Sequence, residues 1–200
     1  ENCQTLLVPQ KYKPGQVLFY QGNMSMGFYC VQSGTIALRR VDQEGHESII
    51  RLLHPGDTIG YSSLFDDSEN TATAVAVTSS KVRFLPKGMV MSLQRQNVRL
   101  SAALLKDVAF QLRGAEEKAQ SQAHLPVRTR FAQLLLEWRD HYGTMDKEGN
   151  LIIDLPLPKQ DIALMISTRP ETLSRTIHAM AKDEVARFEK SKVIVSDLDK

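Results

Sequence analysis

Glycine is spread so unevenly along this chain that it divides the sequence into two structural regimes. Seven of the eleven glycines fall at positions 15, 22, 27, 34, 45, 56 and 60, whereas residues 89–123 hold only Gly114 and no proline. Closely spaced glycines supply turn conformations that other residues resist, and their scarcity favours uninterrupted helix. Between the early glycines lie short β-type runs at residues 17–20, 28–32, 35–41 and 48–53, followed by 71–77 and 81–85. Pro14-Gly15, Ser33-Gly34, Gln43-Glu44-Gly45 and Pro55-Gly56-Asp57 punctuate them. Short strands at regular spacing with glycine-rich turns predict an antiparallel roll or barrel. Alternation across residues 35–39 turns Ile36 and Leu38 inward.

The rest of the composition narrows the class. Hydrophobic residues make up 42% and charged residues 24% of 200, ordinary for a globular protein and unlike a disordered or collagenous one. No apolar run approaches the roughly 18 residues of a membrane span, so no membrane partner and a cytoplasmic location are expected. Cys3 and Cys30 are too few for a zinc site or iron–sulfur cluster built on thiolates alone. The net charge of +2 is unevenly laid out: residues 1–80 carry 5 Lys+Arg against 8 Asp+Glu, residues 81–126 carry 8 against 3, and residues 127–200 carry 12 against 12. No half is strongly basic, so any contact with nucleic acid must rest on the placement of particular side chains.

In the glycine-poor stretch Leu93, Leu100, Leu104, Val108, Leu112, Ala115 and Ala119 recur at steps of three, four or seven. This predicts one long amphipathic helix over residues 89–123. Packing on its own domain stays open, but the small residues toward its end favour close approach of a second copy. The expected homodimer seam is therefore Leu100, Leu104, Val108, Leu112, Ala115 and Ala119. Pro126 breaks the helix and a second follows over residues 127–142, with Phe131, Leu134, Leu135 and Trp138 on one face. Gly143 and residues 146–150 read as a turn before a strand at 151–155. The organisation expected is residues 1–88 as a β-roll domain, 89–125 as a dimerisation helix and 126–200 as a second domain.

Residues 159–182 carry the chemistry. A short helix turns Ile162, Ala163 and Ile166 inward, residues 167–169 make a turn, and Pro170 suits the first position of the next helix because its missing N–H has no intrahelical partner there. Leu173, Ile177 and Met180, with Ala181 beside them, line the buried face. Arg169, Glu171, Thr172, Ser174, Arg175 and His178 are left exposed. This is a helix-turn-helix pattern, in which the start of the second helix reaches base edges in the major groove. Glu171 and Arg175 lie one turn apart, so a carboxylate on a cytosine amino group and a guanidinium on guanine could read one base pair, with Ser174 touching a neighbouring base. An ordinary i,i+4 surface ion pair stays the alternative.

Pro-Glu-Thr-Leu-Ser-Arg (170–175) resembles the recognition helix of the CRP/FNR family of bacterial transcription regulators, in its Glu–Ser–Arg form. The likeness extends to Lys-Gln-Asp-Ile-Ala (159–163) and Arg-Thr-Arg-Phe-Ala-Gln-Leu-Leu (128–135), and in the first half to residues 13–22, Ser-Gly-Thr-Ile (33–36) and residues 55–60. It implies an α+β protein: an N-terminal antiparallel β-roll of cyclic-nucleotide-binding type, a long dimerisation helix and a C-terminal winged helix-turn-helix. By the same resemblance Glu171, Ser174 and Arg175 read the bases of a palindrome with TTGAT-like half-sites, and Lys159, Gln160, Arg169, Thr172 and His178 meet the backbone. Double-stranded DNA and a second copy are the implied partners, with RNA polymerase a third if the protein activates. Ser167 and Glu184 replace family glycines, so both are expected to hold positive φ at a cost of about 1 kcal/mol each. The wing falls around residues 187–195, with Lys190 and Lys192.

The family's effector stretch corresponds to residues 59–75. Aligned without gaps, its ribose-binding glutamate becomes Tyr61 and its phosphate-binding Arg-Ser pair becomes Thr71 and Ala72. A buried phosphate lacking a cation is costly, with Asp66, Asp67 and Glu69 close in sequence, so cyclic AMP is not the expected effector. An FNR-type cluster is not expected either, because Arg83 stands in place of the internal cysteine. Haem stays open, with His46, His54, Met24 or Cys30 as axial ligands. Both histidines read as solvated turn residues and Cys30 as strand packing. An effector beside Tyr61, Ser62, Ser63, Thr71 and Thr73, against the long helix, and no effector at all stay open too. A cupin-like metal enzyme would need His-x-His with a glutamate, where the chain offers only His46-Glu47 and a distant His54; no enzyme activity is expected.

Overall fold

Eight strands build the first half, in a computed structural model that describes residues 9–60 and 68–195. They are β1 (Gln10–Tyr12), β2 (Val17–Phe19), β3 (Gly27–Ser33), β4 (Ile36–Val41), β5 (Glu47–Leu53), β6 (Thr58–Ile59), β7 (Thr73–Ala76) and β8 (Ser80–Pro86). They form two antiparallel sheets, ordered β1-β8-β3-β6 and β2-β7-β4-β5. Val31, Ile36, Leu53, Ile59, Ala74, Ala76 and Val82 form their shared core, and Leu38, Phe19 and Tyr29 pack on it. Six strands agree with the sequence reading. β1 and β6 do not: the two or three residues of each are too few for alternation to register, and both exist because a longer neighbour offers an open edge.

The turn between β3 and β4 shows why glycine recurs here. Gly34 has φ +83°, and a Cβ on it would lie 2.3 Å from Ser80 Oγ and 2.5 Å from the Ser79 carbonyl. The close approach lets the hydroxyls of exposed Thr78 and buried Ser80 close a network. Thr78 Oγ1 accepts from the Thr35 N–H at 2.8 Å, and Ser80 Oγ donates to the Thr78 carbonyl at 2.8 Å.

Five helices come after the roll: α1 (Lys87–Gln96), α2 (Val98–His124), α3 (Val127–Tyr142), α4 (Lys159–Met165) and α5 (Pro170–Lys182). Residues 89–123 are thus two helices rather than the single one expected. Asn97 is extended (φ −138°, ψ 94°) and caps α2, its Oδ1 accepting the Leu100 N–H at 3.2 Å. Asparagine competes for backbone donors in this way, which is why it favours helix starts over helix interiors.

The chain divides into two compact units within α2, residues 1–113 and 114–200. In the second unit β9 (Gly143–Met145), β10 (Leu151–Asp154), β11 (Arg187–Glu189) and β12 (Lys192–Val195) form an antiparallel sheet ordered β11-β12-β10-β9. Gly143, read as turn, begins a strand: its N–H closes the end of α3 on the Arg139 carbonyl, and the chain then pairs with β10. Phe131, Leu134, Leu135 and Trp138 are buried on α3 as expected, as are Ile162, Ala163 and Ile166, and Leu173, Ile177 and Met180. Ala181 is exposed instead, since it lies just outside the stripe that those three residues complete. Among the described residues no helix is long and apolar enough to cross a membrane.

Candidate nucleic-acid interface

Both helices of the helix-turn-helix end in the same backbone device. At the end of α4 the Ser167 N–H donates to the Leu164 carbonyl (3.3 Å) and the Thr168 N–H to the Ala163 carbonyl (3.0 Å). At the end of α5 the Glu184 N–H donates to Ala181 (3.2 Å) and the Val185 N–H to Met180 (3.0 Å). These are Schellman pairs, which place one residue in the left-handed region. Ser167 has φ +51° and Glu184 φ +56°, as expected from the missing glycines, and Lys190 in the β11–β12 turn joins them at +51°.

Helix α5 starts at Pro170 behind an extended Arg169, whose side chain makes no cap. The first N–H groups of α5 therefore receive no side-chain acceptor, an arrangement suited to anions. With Leu173, Ile177 and Met180 buried, Glu171, Arg175 and His178 are exposed while Thr172 and Ser174 are half-buried. Arg175 is not paired with Glu171: its Nη2 donates to Thr172 Oγ1 at 3.3 Å. His178 Nδ1 lies 2.7 Å from the Ser174 carbonyl; a carbonyl only accepts, so this nitrogen carries the proton. Lys159 and Gln160 are exposed at the start of α4, and Arg169 is exposed in the turn.

The long helix α2 contains no buried residue in a single chain. Leu100, Leu104, Asp107, Gln111, Lys118 and Ser121 are half-buried at steps of three, four and seven, and define its inner face. In the first unit Thr58 Oγ1 of β6 donates to Asp107 Oδ2 at 3.1 Å. In the second, Ser121 Oγ donates to Gln133 Oε1 of α3 at 2.9 Å. Burial beside α3 also pushes the Lys118 ammonium below the ordinary lysine range, with Glu137 opposing. Of the six residues read as a dimer seam, Leu100 and Leu104 thus lie on the face covered by their own chain. Val108, Leu112, Ala115 and Ala119 are exposed, and Leu105, which the reading omitted, is 70% exposed in line with them. Phe110 is exposed as well, off that line.

Of the residues read as an effector pocket, Tyr61, Ser62 and Ser63 lie outside the described residues. Thr71 is exposed, and Thr73 Oγ1 accepts the Gln21 N–H at 3.0 Å. A cavity of about 220 Å³ lies elsewhere in the roll, among Phe19, Tyr20, Asn23, Met24, Tyr29 and Asn70. No sequence signal marked it, because its lining comes from separate strands and turns.

The side chains considered as haem ligands are scattered. His46 is 73% exposed and lies 3.3 Å from Asp42 Oδ2, in a turn where donors from His46 and Glu44 hold the Asp42 carboxyl below the ordinary range. His54, read as solvated, is only 14% exposed, in a turn that the Asp57 N–H closes on the His54 carbonyl. Burial pushes the Cys30 thiol up, against the opposing charge of Arg83. Among the described residues no group of three or more His, Cys, Asp or Glu side chains is placed to hold a metal ion.

Comparison with known proteins matches both units. Residues 9–97 match the cyclic nucleotide-binding domain family, and residues 129–200 match the Crp-like helix-turn-helix domain family. The Cyclic AMP receptor protein of Thermus thermophilus is 30% identical over 178 residues, which span 88% of this chain and 78% of that protein. FixK2 from Bradyrhizobium japonicum shares the fold with a TM-score of 0.84 at 18% identity, over 97% of this chain and 94% of that one. A CRP/FNR-family transcriptional regulator from Thermus thermophilus shares it with a TM-score of 0.80 at 24% identity, over 96% and 95%. With both parts matched in the same order and a relative this similar along most of its length, the chain belongs to the CRP/FNR family of transcriptional regulators, which bind DNA through the helix-turn-helix.

Proposed function

We propose that this regulator binds a palindromic site with TTGAT-like half-sites as a homodimer, with Glu171, Ser174 and Arg175 of α5 reading bases. The observation that carries the reading is that α5 buries Leu173, Ile177 and Met180 while leaving Glu171 and Arg175 exposed and unpaired with each other. Both are thereby available to a groove. Lys159, Gln160, Arg169, Thr172 and His178 hold the backbone. RNA polymerase is the further partner if the protein activates.

Dimerisation is supported by the exposed line of Leu105, Val108, Leu112, Ala115 and Ala119 on a helix with no buried residue of its own. A twofold pair spaces two recognition helices about one DNA turn, roughly 34 Å, apart. The effector is assigned to the junction of roll and long helix, at Tyr61, Ser62, Ser63, Thr71 and Thr73, and is a molecule other than cyclic AMP. Two observations support this: Ala72, aligned with the family's phosphate-binding serine, buries a methyl group, and the Thr58–Asp107 hydrogen bond ties the roll to α2.

Titration of the palindromic duplex against a scrambled one at fixed salt tests the reading. The expected stoichiometry is two chains per palindrome, and Arg175→Ala is expected to cost about 1–3 kcal/mol on the palindrome alone. Equal affinity of the wild type for both duplexes would overturn it.

A further inference from the structure

The first turn of α3 carries two arginines, Arg128 and Arg130, on neither the dimer seam nor the DNA-reading face. Each is committed to one end of the reading helix. Arg130 Nη1 donates to the carbonyl of Ile166, the residue that ends α4, and to that of Ser167 at 3.3 Å. These carbonyls lie at the negative end of α4 and at the strained turn leading into α5. Arg130 Nε is buried without a hydrogen-bond partner among the described residues, so its guanidinium is turned to these carbonyls rather than to solvent. Arg128 Nη1 pairs with Asp183 Oδ2, on the residue that ends α5. One helical turn thus grips the entry and the exit of the recognition helix, across 36 and 55 residues of sequence.

We infer that Arg130 and Arg128 are positioning residues for DNA recognition, setting the orientation of α5 without touching the duplex. Both bonds leave Nη1 at the far end of a planar guanidinium whose orientation is fixed by its buried Nε edge, a point that the shorter lysine side chain, with its freely turning ammonium, does not hold. Helix ends are where such orientation is decided, because the core contacts of Leu173, Ile177 and Met180 are apolar and tolerate rotation better than directional hydrogen bonds do. The inference rests on the DNA-reading role proposed for α5. Its test therefore has an arm that needs no DNA.

In that arm, amide hydrogen exchange is measured on the free full chain. Arg130→Lys is expected to speed exchange in residues 168–173 by about tenfold, the loss of one charge-assisted hydrogen bond. Amides of α3 around Trp138 keep their protection. Arg130→Ala is read the same way, and Arg130→Lys decides alone if the alanine variant unfolds. In the DNA arm, Arg130→Lys is expected to weaken binding to the palindrome about tenfold and Asp183→Asn, whose ion pair is half exposed, about threefold, leaving scrambled-duplex affinity and salt dependence unchanged. The exchange Arg128→Asp with Asp183→Arg is expected to bind the palindrome more tightly than Asp183→Arg alone, which a merely packed pair would not do. Unchanged exchange in Arg130→Lys overturns the inference. So does tighter binding by Asp183→Asn together with a salt slope shallower by about 0.9 in Arg128→Ala, the signature of a phosphate contact. If the wild type shows no preference for the palindrome, the DNA reading falls, and the exchange arm still decides whether these arginines hold α5.

Discussion

The β-roll and the helix-turn-helix unit solve the same backbone problem in opposite ways. Among the described residues of the roll every left-handed position is glycine, at 15, 22, 34, 45, 56 and 60, so tight turns between short strands carry little steric strain. In the second unit Ser167, Glu184 and Lys190 hold positive φ with side chains attached, and only Gly149 shares the roll's habit. At Gly34 and Gly60 neighbours lie too close to admit a Cβ, whereas Gly15, Gly45 and Gly56 face open space and need only the left-handed backbone. The turn at Ser167 is held by its own Schellman pair and by hydrogen bonds reaching in from Arg130. Gly34 and Gly60 thus exclude alternatives by sterics, and the turn at Ser167 by directed polar contacts.

The largest expected effect tests whether the two units stand on separate cores. Trp138→Ala empties the buried centre of α3 and is expected to cost about 3–5 kcal/mol. In a denaturant titration it should move the transition of the second unit while the Tyr29 and Phe84 environment of the roll holds to its own midpoint; a common shift would show one cooperative core. Next comes Gly34→Ala, where the added Cβ meets Ser80 and the Ser79 carbonyl at a left-handed residue. A loss of about 1–3 kcal/mol is expected from thermal melting. A neutral result would remove the steric half of the comparison.

Ser167→Gly and Glu184→Gly should move in the reverse direction. Relief of about 1–2 kcal/mol of left-handed strain exceeds the roughly 0.4–1 kcal/mol of added chain entropy, so each is expected to stabilise the second unit by about 0.5–1 kcal/mol. Destabilisation by either would mean that the side chain contributes more than its strain costs. The smallest effect lies in the β9–β10 turn. The Asn150 side chain and the N–H groups of Asn150, Glu148 and Gly149 surround Asp146 and hold its carboxyl below the ordinary range. Because the folded value is lowered, that stabilisation is present above the ordinary carboxylate range and is lost as pH falls through the lowered one. Asp146→Asn should flatten the acid limb of the second unit's stability–pH curve and leave the roll's limb unchanged.

Legibility tracked locality. Six of the eight roll strands, the buried face of α3 and the buried faces of both reading helices were readable because a period of two or 3.6 shows within a dozen residues. Pro170 announced a helix start and the missing glycines announced strain, each from one residue's own stereochemistry. The break at Asn97 was missed because the apolar repeat runs across it, and one side-chain cap outweighs that repeat. His54 was misjudged because a turn sequence tells where the backbone bends and not what the side chain meets.

From local patterning alone the chain determines where strands and helices form and which edge of α5 faces outward, since those result from steric preference and from burying apolar periods. Only the tertiary structure decided which of two apolar stripes on α2 lies against its own chain. Leu100 and Leu104 compete there with Leu105, Val108 and Leu112, and the Asp107–Thr58 hydrogen bond selects the first pair. It likewise decided that Arg130 grips the turn before α5, because a hydrogen bond spanning 36 residues exists only once the chain has brought its partners together.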